Sequence, residues 1–239
     1  MKLTFNLFVV CLVLAMTKVH SKKQRRTNVN IAVILPQNNS HIFSIRHVVP
    51  ALEIATKRIN RRKDLLPKHK LVIDSKDSKC SIRYGINEAF LFRENRSADV
   101  FFGPVCDFAA APVSRQIWFW NTPMITSGAM ALSFLENKEK NGNLLTRIGS
   151  SYNGAVDAAV AALDTFGYKR VLLLYQDRSH DHILPRIGYF FADTFFKMLS
   201  GKLSFDYKLL GTLSTTGGIS KETARRVILE NLGNKYSGK

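Results

Sequence analysis

Two cysteines, a pair of backbone donors and one acidic, histidine-bearing loop are the places in this 239-residue chain where residue type and spacing could do chemistry. In an oxidising compartment Cys80 and Cys106 are the one pair left once Cys11 departs with an N-terminal leader. They are either joined, which would stabilise by roughly 3–4 kcal/mol in the chain-entropy picture, or two free buried thiols. Cys106 closes the turn Gly103-Pro104-Val105-Cys106, and Asp107 onward reads as a helix ending in Trp118-Phe119-Trp120. The N–H groups of Val105 and Cys106, at that helix N-terminus, favour a small anion; the alternative is a purely structural staple. The stretch Asp177-Arg178-Ser179-His180-Asp181-His182 has metal-ligand residue types. Ligands packed into one loop without distant partners read instead as solvated polar residues, so no metal is assigned. With no nucleophile elbow, phosphate-binding Gly-Lys loop or paired-cysteine metal spacing, an enzyme is the least supported class.

The elements that must position these residues alternate. Apolar runs predict strands at 30–35, 70–73, 100–102, 123–126, 145–148, 170–175 and 207–213. Helical periodicity covers 49–61, with Leu52, Ile54, Ala55 and Ile59 inward, and 81–93, with Ile82, Ile86, Ala89 and Phe90 inward. Further helices are predicted at 153–166, 187–199 and 219–232, and Pro112 reads as a first-turn proline. Strand-helix alternation argues for parallel sheets covered by helices on both faces, with the binding edge at the strands' carboxyl ends. The loops 74–80 and 103–106 both fall there, and a composition shift at 149–151 marks a candidate boundary between two lobes.

Residues 1–21 read as a secretory signal: Lys2, the apolar run 7–16, and Val19-His20-Ser21 before the cut. That predicts a secreted chain or the extracellular side of a plasma membrane, and Asn38-Asn39-Ser40 and Asn95-Arg96-Ser97 are glycosylation acceptors in keeping with export. The formal net charge is +17. Its basic residues are scattered along helices and loops without interleaved aromatics, which reads as a solvated surface and not as a nucleic-acid site.

Taken together, Gly103-Pro104-Val105-Cys106, then Phe108-Ala109-Ala110-Ala111-Pro112-Val113, Arg115 and Trp120, resemble the signature of natriuretic peptide receptors, the ectodomains of the clearance receptor and of receptor guanylyl cyclases. The likeness extends to Val33-Ile34-Leu35-Pro36, Pro123-Met124, residues 127–132 and Leu145-Thr146-Arg147, and spans 28–175. It implies a type I periplasmic-binding-protein-like α/β fold with two parallel-sheet lobes, lobe 1 at 28–149 and a partial, incomplete lobe 2 at 150–239. It also implies a peptide hormone held between protomers of a homodimer, or of a heterodimer with a related receptor, and no catalysis within this chain, although a full-length relative could carry a cyclase domain. The membrane would be reached only through a C-terminal anchor beyond Lys239.

By the same resemblance Cys80 and Cys106 form a disulfide, and a chloride ion, the sole candidate for a cofactor, sits at Ser75, Val105 and Cys106. Phe108, Arg115 and Tyr175 take hormone-contact positions, and Phe119 and Trp120 take dimer-contact positions. The chain departs from the family pattern where Phe108 replaces a tyrosine, Phe119 a histidine and Ile82 an aspartate, and where the second-lobe disulfide is missing. Two other readings accompany this one. The chain could be a truncated soluble decoy or dimerisation partner of a full receptor. It could also be an amino-acid-type small-molecule module of the same superfamily, which Ala129 and Met130 disfavour because they stand where hydroxyl residues hold the ligand.

Overall fold

The computed structural model describes residues 26–38, 40–136, 144–178, 180–181, 184–200, 204–210 and 220–232. The proposed signal at 1–21 lies outside them. Strand β1 (Thr27–Leu35) is the axis of the first sheet: it pairs in parallel with β2 (His69–Asp77) on one side and β3 (Val100–Phe102) on the other. Strands β4 (Met124–Thr126) and β5 (Leu145–Arg147) extend it to the order β2-β1-β3-β4-β5. Connections leave β1 and β3 in opposite directions, so the strand order reverses between them, the place where open parallel sheets take ligands at the strands' carboxyl ends.

The alternation of side chains along β1 explains how one strand serves two cores. Ala32 and Ile34 face Ala89 and Phe92 of α2 (Ile82–Glu94) and Ala110, Val113 and Ile117 of α3 (Asp107–Trp120). Val33 and Leu35 face the other way, onto Ile45, Val48, Val49 and Leu52 of α1 (Ile45–Arg61) and onto Cys80, Val105 and Cys106. Residues Ala32 to Leu35 are at most 1% exposed, as a strand covered on both faces requires. This is the doubly wound arrangement that the resemblance implies.

Several local expectations are corrected. Helix α1 begins at Ile45, and Ile54 is 54% exposed, because the stripe that meets the sheet is set by Ile45, Val48, Val49 and Leu52. In α2 the buried residues are Gly85, Ala89 and Phe92, leaving Ile82 and Phe90 exposed. Pro112 lies inside α3, the sixth residue of a helix that starts at Asp107, so no N–H is present to meet the carbonyl of Phe108. Strand β2 runs on to Asp77, which moves Ser75 out of the expected loop and into the sheet, paired with Val33.

After the short helix α4 (Ser133–Glu136) and β5, a second sheet begins. Strands β6 (Arg170–Tyr175) and β7 (Ser204–Leu209) pair in parallel, flanked by α5 (Tyr152–Thr165), α6 (Ile187–Leu199) and α7 (Lys221–Asn231). Val156, Phe195 and Leu199 form its core with Ala159, Val160, Leu173, Phe191 and Met198. Strand β7 ends at Leu209, and the expected continuation through 211–213 lies outside the described residues.

Candidate functional site

The joint after β3 is held from three sides. Gly103 has φ +84°, and a Cβ there would run into the carbonyl oxygen of Ile34, so only glycine lets the turn pass this close to β1. Its N–H donates to Ile125 O at 2.8 Å. The Thr126 hydroxyl donates to Pro104 O at 2.7 Å and accepts from Gly128 N at 3.0 Å, tying the joint to the loop that follows β4. From the β2 side, Cys80 and Cys106 are joined in a disulfide with Cα atoms 5.4 Å apart. Two loops at the carboxyl edge of the sheet are thereby pinned to each other.

Val105 and Cys106 are 3% and 1% exposed. Among the described residues no acceptor meets their N–H groups, whereas the carbonyl of Val105 accepts from Ala129 and that of Cys106 from Ala109 and Ala110. Buried backbone donors ordinarily find a partner, in protein, water or a bound group. The hydroxyl beside the disulfide belongs to Ser78, which is fully buried, donates its N–H to Leu35 O at 2.9 Å and accepts from Cys80 N at 3.3 Å. The resemblance points instead to Ser75, which shares the strand face of Ile73. The signal available was the Ser-x-Cys spacing, which lets a serine hydroxyl reach the N–H two residues on.

Asp107, in the first turn of α3, was also missed. It is 7% exposed, and its Oδ1 accepts from Ala131 N at 2.9 Å, holding the loop after β4 against the helix start. Burial raises its carboxyl above the ordinary value, a shift opposed by backbone donors and by the positive charge of Arg147. Arg147 donates to Ala129 O at 2.9 Å, and Tyr152 N donates to Met130 O at 3.3 Å, so the same short loop is gripped from β5 and α5 as well. The Tyr152 hydroxyl is buried with no hydrogen-bond partner among the described residues, and desolvation, with the nearby Asp107 charge second, pushes its ionisation upward.

Along α3, Phe108, Arg115 and Phe119 recur at spacings of seven and four and share one helix face. Arg115 is exposed and Phe119 is 71% exposed, while Phe108 is half-buried against Phe190 of α6, with ring centres 5.0 Å apart. Trp120 departs from this face: it lies 5.1 Å from Phe90 and 5.9 Å from Phe101 and joins the first core. Tyr175 is on β6, lining a cavity between the second sheet and α6. Asn38 and Asn95 are both exposed, near the ends of β1 and α2. In the acidic, histidine-bearing stretch, the Asp181 carboxylate accepts from Arg186 N at 2.7 Å and Asp177 pairs with the Arg186 guanidinium at 3.4 Å. Among the described residues no cluster of three His, Cys, Asp or Glu is placed to hold a metal ion.

A family model described as the receptor family ligand binding region matches residues 47–195, from α1 into α6. The chain belongs to that receptor family. Within the receptor family, atrial natriuretic peptide receptor 3 of Rattus norvegicus is 31% identical over 155 residues, covering 62% of this chain and 29% of the relative. The same receptor of Homo sapiens is 30% identical over 155 residues, 62% of this chain and 28% of the relative. Atrial natriuretic peptide receptor 2 of Rattus norvegicus is 30% identical over 177 residues, 73% of this chain and 16% of the relative. The chain thus spans under a third of the length of these curated relatives. The matched region is a receptor's ligand-binding part, not a catalytic domain, and among the described residues no helix is long and apolar enough to cross a membrane.

Proposed function

We propose that this chain is the extracellular ligand-binding region of a natriuretic-peptide-receptor-like hormone receptor, taking a peptide between two protomers. The observation that carries the reading is the α3 stripe: Phe108, Arg115 and Phe119 leave the disulfide-pinned joint along one helix face, with Arg115 and Phe119 open to solvent. A guanidinium beside two aromatic rings suits a peptide, offering a planar donor fork for carbonyls or carboxylates and a stacking surface for side chains. Arg115, with Phe108 and Tyr175, supplies hormone contacts; Phe119 supplies the exposed half of the dimer contact, and Trp120 backs it from the core. Export through a signal at 1–21, glycosylation at Asn38 and Asn95, and lobes at 28–149 and 150–239 belong to the same reading.

Chloride is the small anion that fits this joint. The N–H groups of Val105 and Cys106, for which the described residues show no acceptor, offer it two backbone donors at the start of α3, and a serine hydroxyl from the β2 side joins them in this reading. The resemblance assigns that hydroxyl to Ser75; the buried Ser78 is the neighbour to compare with it.

Titration of a natriuretic-type peptide into the chain by calorimetry tests the reading. Saturable binding is expected, weakened at least tenfold by Arg115→Ala and dependent on chloride, with Ser75→Ala and Ser78→Ala compared for loss of that dependence. Binding of a free amino acid in place of any peptide would overturn it. Unchanged affinity when chloride is exchanged for a larger inert anion would remove the anion site alone.

A further inference from the structure

We infer that the second sheet carries a cation-binding cup, built from Tyr175, Tyr189, Phe196 and Tyr207 around the carboxylate of Asp193, for an alkylammonium or guanidinium group. The backbone makes the cup. In the β6–β7 register Leu173 lies beside Tyr207, and Tyr175 follows two residues later on the same face, so both tyrosines rise from one side of the sheet. Opposite them, Tyr189, Ala192, Asp193 and Phe196 recur at helical spacing along a single stripe of α6. Between the two walls lies a cavity of about 150 Å³ lined by these residues. Ala192, 5% exposed, is the small side chain that leaves the space unfilled, while Tyr189, Phe196 and Tyr207 are 40%, 43% and 57% exposed and form an open mouth.

The chemistry of the lining selects the sign of the ligand. The chain carries 35 Lys and Arg against 18 Asp and Glu, yet among the described residues the one charged side chain lining this cavity is an aspartate. Ring faces present negative electrostatic potential and attract a cation held over them, most strongly where water is excluded. Tyr189 already does so at its flank, with the Arg186 guanidinium 4.7 Å from its ring centre. Asp193 holds Lys197 at 2.9 Å through Oδ2, and a carboxylate with two oxygens has acceptor capacity beyond that single pair. An anion would meet the carboxylate and the ring faces, and a neutral apolar group would gain nothing from Asp193. The cup rests on none of the hormone-binding argument and shares with it only Tyr175.

The test uses the full chain and two probes of the same shape, choline and its uncharged isostere 3,3-dimethylbutan-1-ol, followed by ligand-observed NMR and tyrosine fluorescence. Choline is expected to bind saturably, at least tenfold tighter than the alcohol. Asp193→Asn should weaken choline at least tenfold and leave the alcohol unchanged, Lys197→Met should tighten choline by freeing the carboxylate, and Ala192→Leu should abolish choline binding by filling the cavity while all four rings remain. Nα-acetyl-lysine methylamide, titrated in parallel, separates a free cation from one carried on a peptide: both should depend on Asp193, and the tighter of the two identifies the carrier. Equal affinity for choline and the alcohol, choline binding that survives Ala192→Leu in a variant with an unchanged circular dichroism spectrum, or no saturable binding of either cation would overturn the cup.

Discussion

The two parallel sheets of this chain start from similar strands and end in different states of burial. In the first, β1 is flanked by strands on both edges and by helices on both faces, and Ala32, Val33, Ile34, Phe101 and Met124 have no exposed surface. In the second, every residue of Val171–Tyr175 is only partly buried, and Phe166, Tyr168, Tyr207 and Leu209 are between 47% and 73% exposed. Apolar sequence makes a strand in either place, but neighbours on both edges and both faces make the deeper core. The features divide along the same line: the disulfide joint belongs to the deeply buried sheet, whereas the proposed cup lies against the less buried one.

Matched truncations test that division most severely. Phe101→Ala should cost about 3–5 kcal/mol, the range for a wholly buried phenylalanine, while Phe195→Ala, at 9% exposure in the smaller core, should cost visibly less. Chemical denaturation of the two variants measures the gap; equal losses would mean that the second region is as tightly packed as the first. Amide hydrogen exchange supplies the companion profile, with protection expected to be deeper at Ala32–Leu35 than at Val171–Tyr175.

Breaking the disulfide comes next in size. The loop it closes is 26 residues in sequence separation, for which the chain-entropy picture gives a loss of about 3–4 kcal/mol. Cys80→Ala combined with Cys106→Ala should show that loss in the first sheet alone, leaving exchange in β6 and β7 where it was. A uniform loss in both sheets would show the joint to be a brace for the entire chain and would blunt the contrast between the regions.

Much of this was legible in the residues. Strand order could not be read, yet the alternation of apolar runs with helical periods was enough for a parallel α/β architecture, and the contiguous run at 30–35 announced a strand covered on both faces. Periodicity failed where several apolar residues offered competing stripes: in α2, Ile82, Ile86, Ala89 and Phe90 looked inward, but close approach to α3 at Gly85 and Ala109 turned Phe92 in and Phe90 out. Of the candidate site, the cysteine pair could be proposed because compartment and count left few choices. Asp107 and Tyr152 could not, since their burial depends on a loop from β4 and a helix from beyond β5 meeting at one place. Ser75 shows the same limit from another side: a polar stretch, Asp74 to Asp77, reads as loop, while its pairing with β1 keeps it extended.

Tyr152 offers a prediction at about 1 kcal/mol. Its hydroxyl is buried with no partner among the described residues, and such a group carries a desolvation penalty with no compensating bond. Tyr152→Phe should therefore be neutral or stabilising by about 1 kcal/mol, measured by thermal denaturation. A loss of more than that would reveal a partner for the hydroxyl, such as water shared with Asp107, and would tie the two regions together more firmly than Tyr152 N and Met130 O already do.

The smallest effect expected is a slope. Burial holds the Asp107 carboxyl above its ordinary value of 3.8, so across the range that begins at 3.8 and runs upward to the raised value, the folded chain keeps a proton that the unfolded chain has released. Stability falls with rising pH wherever the folded state binds more protons; Asp107 thus favours the fold most at low pH and gives up that contribution as the pH climbs through this window. A single proton can contribute at most about 1.4 kcal/mol per pH unit, and carboxylates elsewhere titrate alongside it, so the informative quantity is the difference between wild type and Asp107→Asn. The asparagine keeps an oxygen for Ala131 N but cannot ionise. Its stability curve should run flatter above pH 3.8 than that of the wild type, with the divergence seen in exchange at the loop after β4 and absent in β6 and β7. Parallel curves would mean that Asp107 ionises as easily in the fold as in water, and that the donors from Ala131 and Met130, with the charge of Arg147, fully offset its burial.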